Sequence, residues 1–378
     1  MTTINTGNHK IASLVMLAVL VVVLSASGAC AASSALVSVA VGGGTGDSGS
    51  YDAVITPDGH YVAFVSDATN LVAGDTNLVR DVFRRDLLTN QTVRVSVSTA
   101  GLQADGASFA PSVSADGRYV ASSSDATNLV TGDTNAAHDI FVRDLVGNTT
   151  MRASATSTGV QGNGASFSAA ISGDGRFVAF SSDATNLVTG DTNLVRDIFV
   201  RNLGSNTTTR VSVSSAGKQG NGACYSPALN GDGRCVAFTS DATTLVTGDA
   251  NAVRDVFLRD QTASTTTRVS VPATGQSNGI SYSPALSTDG RYVAYSSSAS
   301  NLVAGDTNGV PDIFRYDRTL SQTKCVSLAT GEVAPSGRKH AAVEWQVRDR
   351  DVGPRWTLYV SGGSAHPRRR LRAGSRAS

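Results

Sequence analysis

The chain has 378 residues, of which 40% are hydrophobic, 16% are charged and 38 are glycine. Such a composition suits short strands and tight turns rather than helices, and the length allows one large all-β domain or two ordinary ones. Residues 338–378 carry a net charge of +7, so the rest of the chain carries −6 although the whole sums to +1. An acidic body argues against nucleic acid as the main partner.

Residues 1–31 predict an export signal. His9 and Lys10 precede an apolar run at 11–24, and small residues follow it. The run is shorter than the roughly 20 residues of a helical membrane span. Ala29-Cys30-Ala31 offers a cleavage site, and residues 27–30 also resemble a lipoprotein box in which Cys30 would carry a lipid. We therefore expect a periplasmic or extracellular protein, either free or held at the membrane only by that lipid; an uncleaved anchor is the third alternative.

Three sequence markers repeat in register five times over the following residues. An Asp-Gly pair recurs at intervals of 58, 58, 58 and 57 residues, followed each time by Gly-Asp-Thr-Asn (once Gly-Asp-Ala-Asn) and then by Asp-Ile-Phe or Asp-Val-Phe. The Asp-Gly pairs begin at Asp58, Asp116, Asp174, Asp232 and Asp289. Repetition at this period indicates an architecture built from one supersecondary unit.

Each repeat contains four strand-like runs separated by turn residues. In the third repeat these runs are 168–171, 177–181, 197–203 and 208–214. Four antiparallel strands per unit are typical of β-propeller blades, which pack face to face around an axis. A β-solenoid is the alternative, but its shorter turns would not need four distinct strands. We expect an all-β propeller over residues 36–361.

The two ends of the repeat region predict a sixth, closing blade. Leu36–Val39 lies 58 residues before Arg94–Val97 and therefore resembles an outer strand without a blade of its own. The other strands of that blade would come from 341–347 and 356–361, where the repeat markers are lost. Either this blade has diverged, or a reading-frame error precedes it, since the codons of 355–359 shifted by one nucleotide can spell Asp-Gly-Arg-Tyr. Residues 362–378 are expected to form a basic, disordered tail.

The Gly-Asp-Thr-Asn loops are candidate calcium sites, because Ca²⁺ prefers Asp and Asn oxygens at alternate loop positions. The fifth, Asp306 to Asp312, resembles calcium loops of other propellers without their middle acid. The alternative is turn chemistry, in which the same side chains accept hydrogen bonds from backbone amides. The candidate ligands are Asp75, Asn77, Asp81, Asp133, Asn135, Asp139, Asp191, Asn193, Asp197, Asp249, Asn251, Asp255, Asp306, Asn308 and Asp312.

Other recurrent residues have structural interpretations. The Asp-Gly pairs suit a tight hairpin between the first two strands. Acidic residues that end the second strand could pair with arginines on the third strand or stay solvated; they are Asp67, Asp125, Asp183 and Asp241, with Arg85, Arg143, Arg201 and Arg259. Cys224 and Cys235 are expected to be free thiols, and Cys325 replaces a recurrent arginine.

No catalytic site is predicted. Gly46-Asp47-Ser48-Gly49 is similar to the nucleophile segment of trypsin-like proteases, but it precedes every repeat and lacks placed His and Asp partners. His60, His138 and His340 occupy unrelated positions in the repeat, so they predict no metal cluster.

The repeat resembles that of the TolB-like propellers, relatives of the WD-type repeat. The resemblance rests on Ser-x-Asp-Gly-Arg-Tyr-Val-Ala-Phe followed by Asp-Ile-Phe-Val-Arg-Asp-Leu, and it covers residues 36–328. It implies an exported or periplasmic propeller that docks other proteins. This chain departs from the family pattern in its longer segment between the second and third strands.

We therefore expect a monomeric, non-enzymatic scaffold that binds a protein or glycan. Its expected binding surface is the face on which the Gly-Asp-Thr-Asn loops and the links between blades emerge. The alternatives are a calcium-stabilised structural propeller and, third, a propeller enzyme of the lyase or hydrolase type.

Overall fold

The computed structural model describes residues 34–328. Contacts divide the chain into two units, Met1–Leu36 and Val37–Ser378, and every strand of the described residues belongs to the second. The described residues form no helix. Accordingly, no helix within 34–328 has the length and hydrophobicity needed to cross a bilayer.

Within residues 34–328, twenty short strands follow one another, four in each repeat. They are β1 Ser50–Ile55, β2 Tyr61–Ser66, β3 Asp81–Asp86, β4 Thr92–Arg94, β5 Ser108–Val113, β6 Tyr119–Ser124, β7 Asp139–Asp144, β8 Thr149–Arg152, β9 Ser166–Ile171, β10 Phe177–Ser182, β11 Asp197–Asn202, β12 Thr207–Arg210, β13 Cys224–Leu229, β14 Cys235–Ser240, β15 Asp255–Asp260, β16 Thr265–Arg268, β17 Ser281–Leu286, β18 Tyr292–Ser297, β19 Asp312–Asp317 and β20 Gln322–Cys325.

The strands form five antiparallel four-stranded sheets in which spatial order follows chain order. The second and third strands of each sheet pair in continuous register; Phe64, for example, lies opposite Phe83 with ring centroids 5.8 Å apart. The first strand is interrupted by a β-bulge, where a non-glycine residue such as Asp52 or Ala110 has a positive φ. The predicted four strands per repeat are confirmed.

Successive sheets pack face to face through shared apolar clusters. One cluster joins Ile140 and Val142 of the second sheet to Ile171, Val178 and Phe180 of the third. The first strands of successive sheets also contact one another, which makes them the innermost strands. Four-stranded sheets stacked in this way are blades, and the all-β propeller is the fold of the chain.

The Asp-Gly pairs lie in the turn between the first two strands, as predicted. In the first blade, the Asp58 carboxylate accepts hydrogen bonds from Thr56 Oγ1 and from the His60 amide (2.5 and 3.0 Å). Gly59 has φ +74°, a conformation that favours glycine, and its amide donates to the Thr56 carbonyl. Only the glycine of the pair has a positive φ. These residues therefore form the turn itself.

The prediction of an outer strand at Leu36–Val39 is wrong for the described residues. Val39 makes only an isolated bridge to Thr45, and the equivalent Val97 bridges Gln103 after β4 has ended at Arg94. This segment therefore matches the link that follows a blade's fourth strand. The strands predicted for the closing blade, the signal at 1–31 and the tail at 362–378 lie outside the described residues.

The cysteines of the blades are free, as expected for Cys224 and Cys235. Cys224, Cys235 and Cys325 are all buried and form no disulfide. Cys224 on β13 pairs across the hairpin with Ser240 rather than with Cys235.

Candidate interaction face

The starts of the first and third strands lie at one edge of each antiparallel sheet, together with the ends of the second and fourth strands. This edge carries the segments between the second and third strands, 67–80, 125–138, 183–196, 241–254 and 298–311, and we call it the loop face. A glutamine from the following link docks on the loop; Gln103 donates to the Gly74 carbonyl and to Thr76 Oγ1 (2.9 and 3.0 Å). The loops and links therefore emerge together, as predicted.

The candidate calcium ligands of the first loop do come together, but around an arginine. Arg94 Nη1 lies 3.2 Å from Asp75 Oδ1 and 3.3 Å from Asp81 Oδ2, while Asn77 donates its amide to Asp81 (2.9 Å). Ser96 donates its hydroxyl to the other oxygen of Asp81. Burial raises the pKa of both aspartates, and the guanidinium supplies the charge that opposes this shift.

The same arrangement recurs in the next three blades. Arg152, Arg210 and Arg268 lie 3.0, 2.8 and 2.5 Å from the first loop aspartate and 3.4, 3.3 and 3.2 Å from the second. The side chains of these aspartates are at most 2% exposed. In four loops, therefore, a cation of the chain itself occupies the position at which a metal was expected.

The fifth loop keeps the acids and lacks the arginine. Cys325 stands in the arginine position, and Asp306 and Asp312 remain 7% and 5% exposed. Asn308 and Ser327 still donate to Asp312 (2.8 and 2.6 Å). Apart from the missing arginine, Asp312 thus has the same side-chain donors as the equivalent aspartate of each other blade. Asp306 Oδ1 is buried without a hydrogen-bond partner. Across residues 34–328, no three His, Cys, Asp or Glu side chains are grouped to hold a metal ion.

A second set of charges lies on the loop face. Asp67 is bonded by Arg80 through two nitrogens (2.9 and 3.0 Å), and Asp183 is bonded in the same way by Arg196 (2.9 and 2.7 Å). His138 with Asp125 and Arg254 with Asp241 complete the set. The carboxylate side chains are 33–45% exposed, so their oxygens are accessible from solvent.

Aromatic rings of the innermost strands alternate with these basic side chains. Arg80 lies 5.1 Å from the Tyr51 ring centroid and 5.8 Å from that of Phe109, which belongs to the next blade. His138 then lies between Phe109 and Phe167, and the series continues through Arg196, Tyr225 and Arg254. We call this series from Tyr51 to Arg254 the cation–aromatic belt. It crosses every boundary between the first four blades.

Two leucines project from the loop face in an unfavourable backbone conformation. Leu78 and Leu194 are 82% and 81% exposed, and their φ angles are +57° and +56°. The left-handed region is uncommon for bulky residues, and apolar exposure of this extent contributes nothing to the core. Alanines occupy the equivalent positions in the second and fourth loops, and Gly309 does so in the fifth.

The sequence left two interpretations for the acids at the ends of the second strands, namely pairing with arginines on the third strands or solvation. The acids are paired, but the predicted partners are wrong. The second-strand acids do form ion pairs, but with the residue just before the third strand. The arginines on the third strand bond instead to the fourth strand of their own blade and, from the second blade on, to the link that follows the preceding blade. Arg201, for example, donates to Thr208 Oγ1 (3.0 Å) and to the Thr156 carbonyl (2.8 Å). Arginine stands directly before the Asp-Ile-Phe or Asp-Val-Phe triplet in three of the five repeats, and this recurrence was the signal that could have identified the pairs.

Comparison with known proteins shows no family for this chain. No protein-family model matches the chain, and no curated protein matches its sequence. Similar solved structures include TolB from Acinetobacter baumannii (18% identity, TM-score 0.42), an oligogalacturonate lyase in complex with manganese (14%, 0.46) and the propeller domain of the Trilobed protease from Pyrococcus furiosus (11%, 0.45).

These alignments cover 73–75% of this chain and 53%, 65% and 72% of the respective structures. The chain thus spans about half the length of that TolB. With all three TM-scores below 0.5, we base no inference on these likenesses.

Proposed function

We propose that the protein is an exported, non-enzymatic scaffold whose loop face binds a protein or glycan partner. The observation that carries this proposal is the pair of exposed leucines, Leu78 and Leu194, held in the left-handed region on the same face as the cation–aromatic belt. Export is inferred from the N-terminal signal in the sequence.

The surface combines the groups on which binding interfaces depend. Exposed leucines supply apolar area, while the Asp67 and Asp183 carboxylates accept hydrogen bonds beside aromatic rings. Aromatic and arginine side chains that are already fixed lose little conformational entropy on binding. The paired acids are held by two-nitrogen contacts and therefore present a pre-organised set of acceptors.

The test is capture with the purified chain from envelope extract and culture fluid, together with a glycan array. The test variant is Leu78→Asn/Leu194→Asn. It removes both exposed apolar side chains and replaces them with a residue that tolerates the left-handed region. We expect specific capture to fall by about tenfold or more, as for a truncated interface hot spot, with an unchanged or higher melting temperature.

The matched control is Leu88→Ala/Val146→Ala. Both residues are exposed apolar positions, 75% and 70%, in turns between the third and fourth strands, at the opposite edge of the blades. Capture should survive in this variant. Loss of capture with the control, or equal capture by the loop-face variant and the natural chain, would contradict the proposal.

A further inference from the structure

We propose that the fifth acidic loop binds one divalent cation of the hard, oxygen-preferring class, with Ca²⁺ as the expected ion. The cation would take the position that an arginine guanidinium fills in the other four loops. This inference is independent of the proposed function, because it concerns the buried base of one loop and requires no partner.

The four complete loops show what this position requires. In each, two aspartate oxygens from positions six residues apart face the same arginine nitrogen, as for Asp191, Asp197 and Arg210 at 2.8 and 3.3 Å. Two buried carboxylates close to one another repel, and removing them from water without a counter-charge is strongly unfavourable. The arginine therefore supplies the counter-charge that the two buried acids of each loop require.

The fifth loop keeps both acids and the two donors to the second acid, and it lacks the arginine. Asp312 retains its hydrogen bonds from Asn308 and Ser327. Asp306, only 7% exposed, has an Oδ1 atom with no hydrogen-bond partner, whereas the equivalent Asp191 Oδ1 accepts from Arg210. The unmatched oxygen is therefore the equivalent of the atom that bonds the arginine in the third loop.

The available donors select the class of cation. Asp306 and Asp312 offer carboxylate oxygens, and the Gly305 carbonyl is equivalent to Gly190, whose oxygen accepts from Arg210 (3.3 Å). Hard cations such as Ca²⁺ bind carboxylate and carbonyl oxygens and complete their shell with water.

The test is calorimetric titration of the purified full chain with CaCl₂ after removal of metal by EDTA. One Ca²⁺ should bind per chain, and the melting temperature should rise with Ca²⁺ concentration. In Cys325→Arg the restored guanidinium competes for the same two carboxylates, so Ca²⁺ affinity should fall at least about tenfold, while Cys325→Ser should bind as the natural chain does. Asp306→Asn should also lose Ca²⁺ binding without losing stability in EDTA.

The reciprocal variant removes an arginine from a complete loop. Arg94→Cys recreates the fifth-loop arrangement around Asp75 and Asp81, so it should bind two Ca²⁺ per chain. The proposal is overturned if the natural chain shows neither heat nor a melting shift with millimolar Ca²⁺. Binding that Cys325→Arg leaves intact would overturn it as well. Neither result bears on partner capture by the loop face.

Discussion

At the scale of single residues, the fourth-strand arginine decides whether a buried pair of acids is tolerated. Arg210 is 10% exposed, and its partners Asp191 and Asp197 are almost fully buried. The pair of Arg118 and Asp144 has the same chemistry, but Arg118 is 39% exposed and Asp144 is 14% exposed, so water can take the place of the guanidinium. Burial, rather than the presence of an ion pair, therefore determines how much each arginine contributes.

Replacing Arg210 with Met should lower the free energy of unfolding by about 3 kcal/mol, because two buried carboxylates lose their counter-charge. Arg118→Met is the matched control and should lower it by no more than about 1 kcal/mol, since the partner of Arg118 keeps access to water. Urea denaturation of both variants measures the difference. Equal losses would show that the arginine in the loop is not the counter-charge of the acids.

At the scale of elements, the turn between the third and fourth strands depends on an acid at the end of the third strand. In the second blade, Asp144 accepts from the amides of Val146 and Gly147 (3.0 and 2.9 Å) and from Arg118 through two nitrogens (2.9 and 2.7 Å). The bond from Arg118 is the largest cause that lowers the pKa of Asp144 to about 2. The carboxylate thus joins this turn to the Asp-Gly turn of the same blade.

Asp144 should stabilise the fold at neutral pH and not in strong acid. Because its folded pKa lies below its ordinary value, its contribution is present above about pH 4 and is lost as the pH falls through about 2. Asp144→Asn should therefore lower the unfolding free energy at pH 7 by about 1 kcal/mol, allowing for solvent screening of Arg118, and by almost nothing at pH 2.

The third blade supplies the control for this pH dependence. Asn202 occupies the position of Asp144, and Arg176 occupies that of Arg118. Asn202→Asp should raise the unfolding free energy at pH 7 and lose that gain towards pH 2. Urea denaturation across the pH range measures both variants; a pH-independent effect of Asp144→Asn would contradict the assignment.

The positions of the strands were predictable because each repeat carries its own turn residues and its own alternation of apolar and polar residues. The grouping of Asp75, Asn77 and Asp81 was also predictable, since seven residues of one loop span them. Their counter-charge was not, because Arg94 is 19 residues from Asp75 and reaches it only when the fourth strand pairs with the third. The loss of that arginine at Cys325 is visible in the sequence, but its consequence appears only in the folded loop.

The cation–aromatic belt was missed for a related reason. Tyr51, Phe109, Phe167 and Tyr225 recur at the same point of the repeat, yet Arg80, His138 and Arg196 each lie between rings of two different blades. Contacts between blades depend on the stacking of sheets, which a single repeat does not encode. The link at Leu36–Val39 was misassigned because its residues alternate like a strand although the equivalent chain has already left the sheet.

At the scale of the whole molecule, each blade is held to the next at the edge opposite the loop face. At the first three boundaries the Asp-Gly turn of one blade packs against the aromatic residue that begins the second strand of the preceding blade, as Gly117 does against Tyr61; at the fourth boundary Gly290 packs against Cys235. Arg84 lies over the same ring (4.3 Å to its centroid) and donates to the Gly117 carbonyl (2.7 Å). Where blades contact mainly their neighbours, such junctions contribute directly to the free energy of unfolding of the whole propeller.

Alanine substitutions at two equivalent glycines separate the turn from the junction. Gly59 and Gly117 have φ +74° and +69°, so an alanine at either position adds a similar backbone strain of about 1 kcal/mol. A Cβ atom at Gly59 meets no described atom within 4 Å, whereas one at Gly117 would lie 2.1 Å from the Tyr61 ring. Gly117→Ala should therefore lose a further 1–3 kcal/mol or so from overpacking.

Chemical denaturation of the two variants gives this difference, and a cycle with Tyr61→Ala tests its origin. Removing the ring should abolish the additional loss at Gly117 and leave the loss at Gly59 unchanged. If the two glycine variants are equally destabilised, the junction is loose enough to accept a methyl group. The blades would then be joined mainly by the apolar clusters between their sheets, such as the one that packs Ala63 and Val65 against Val120.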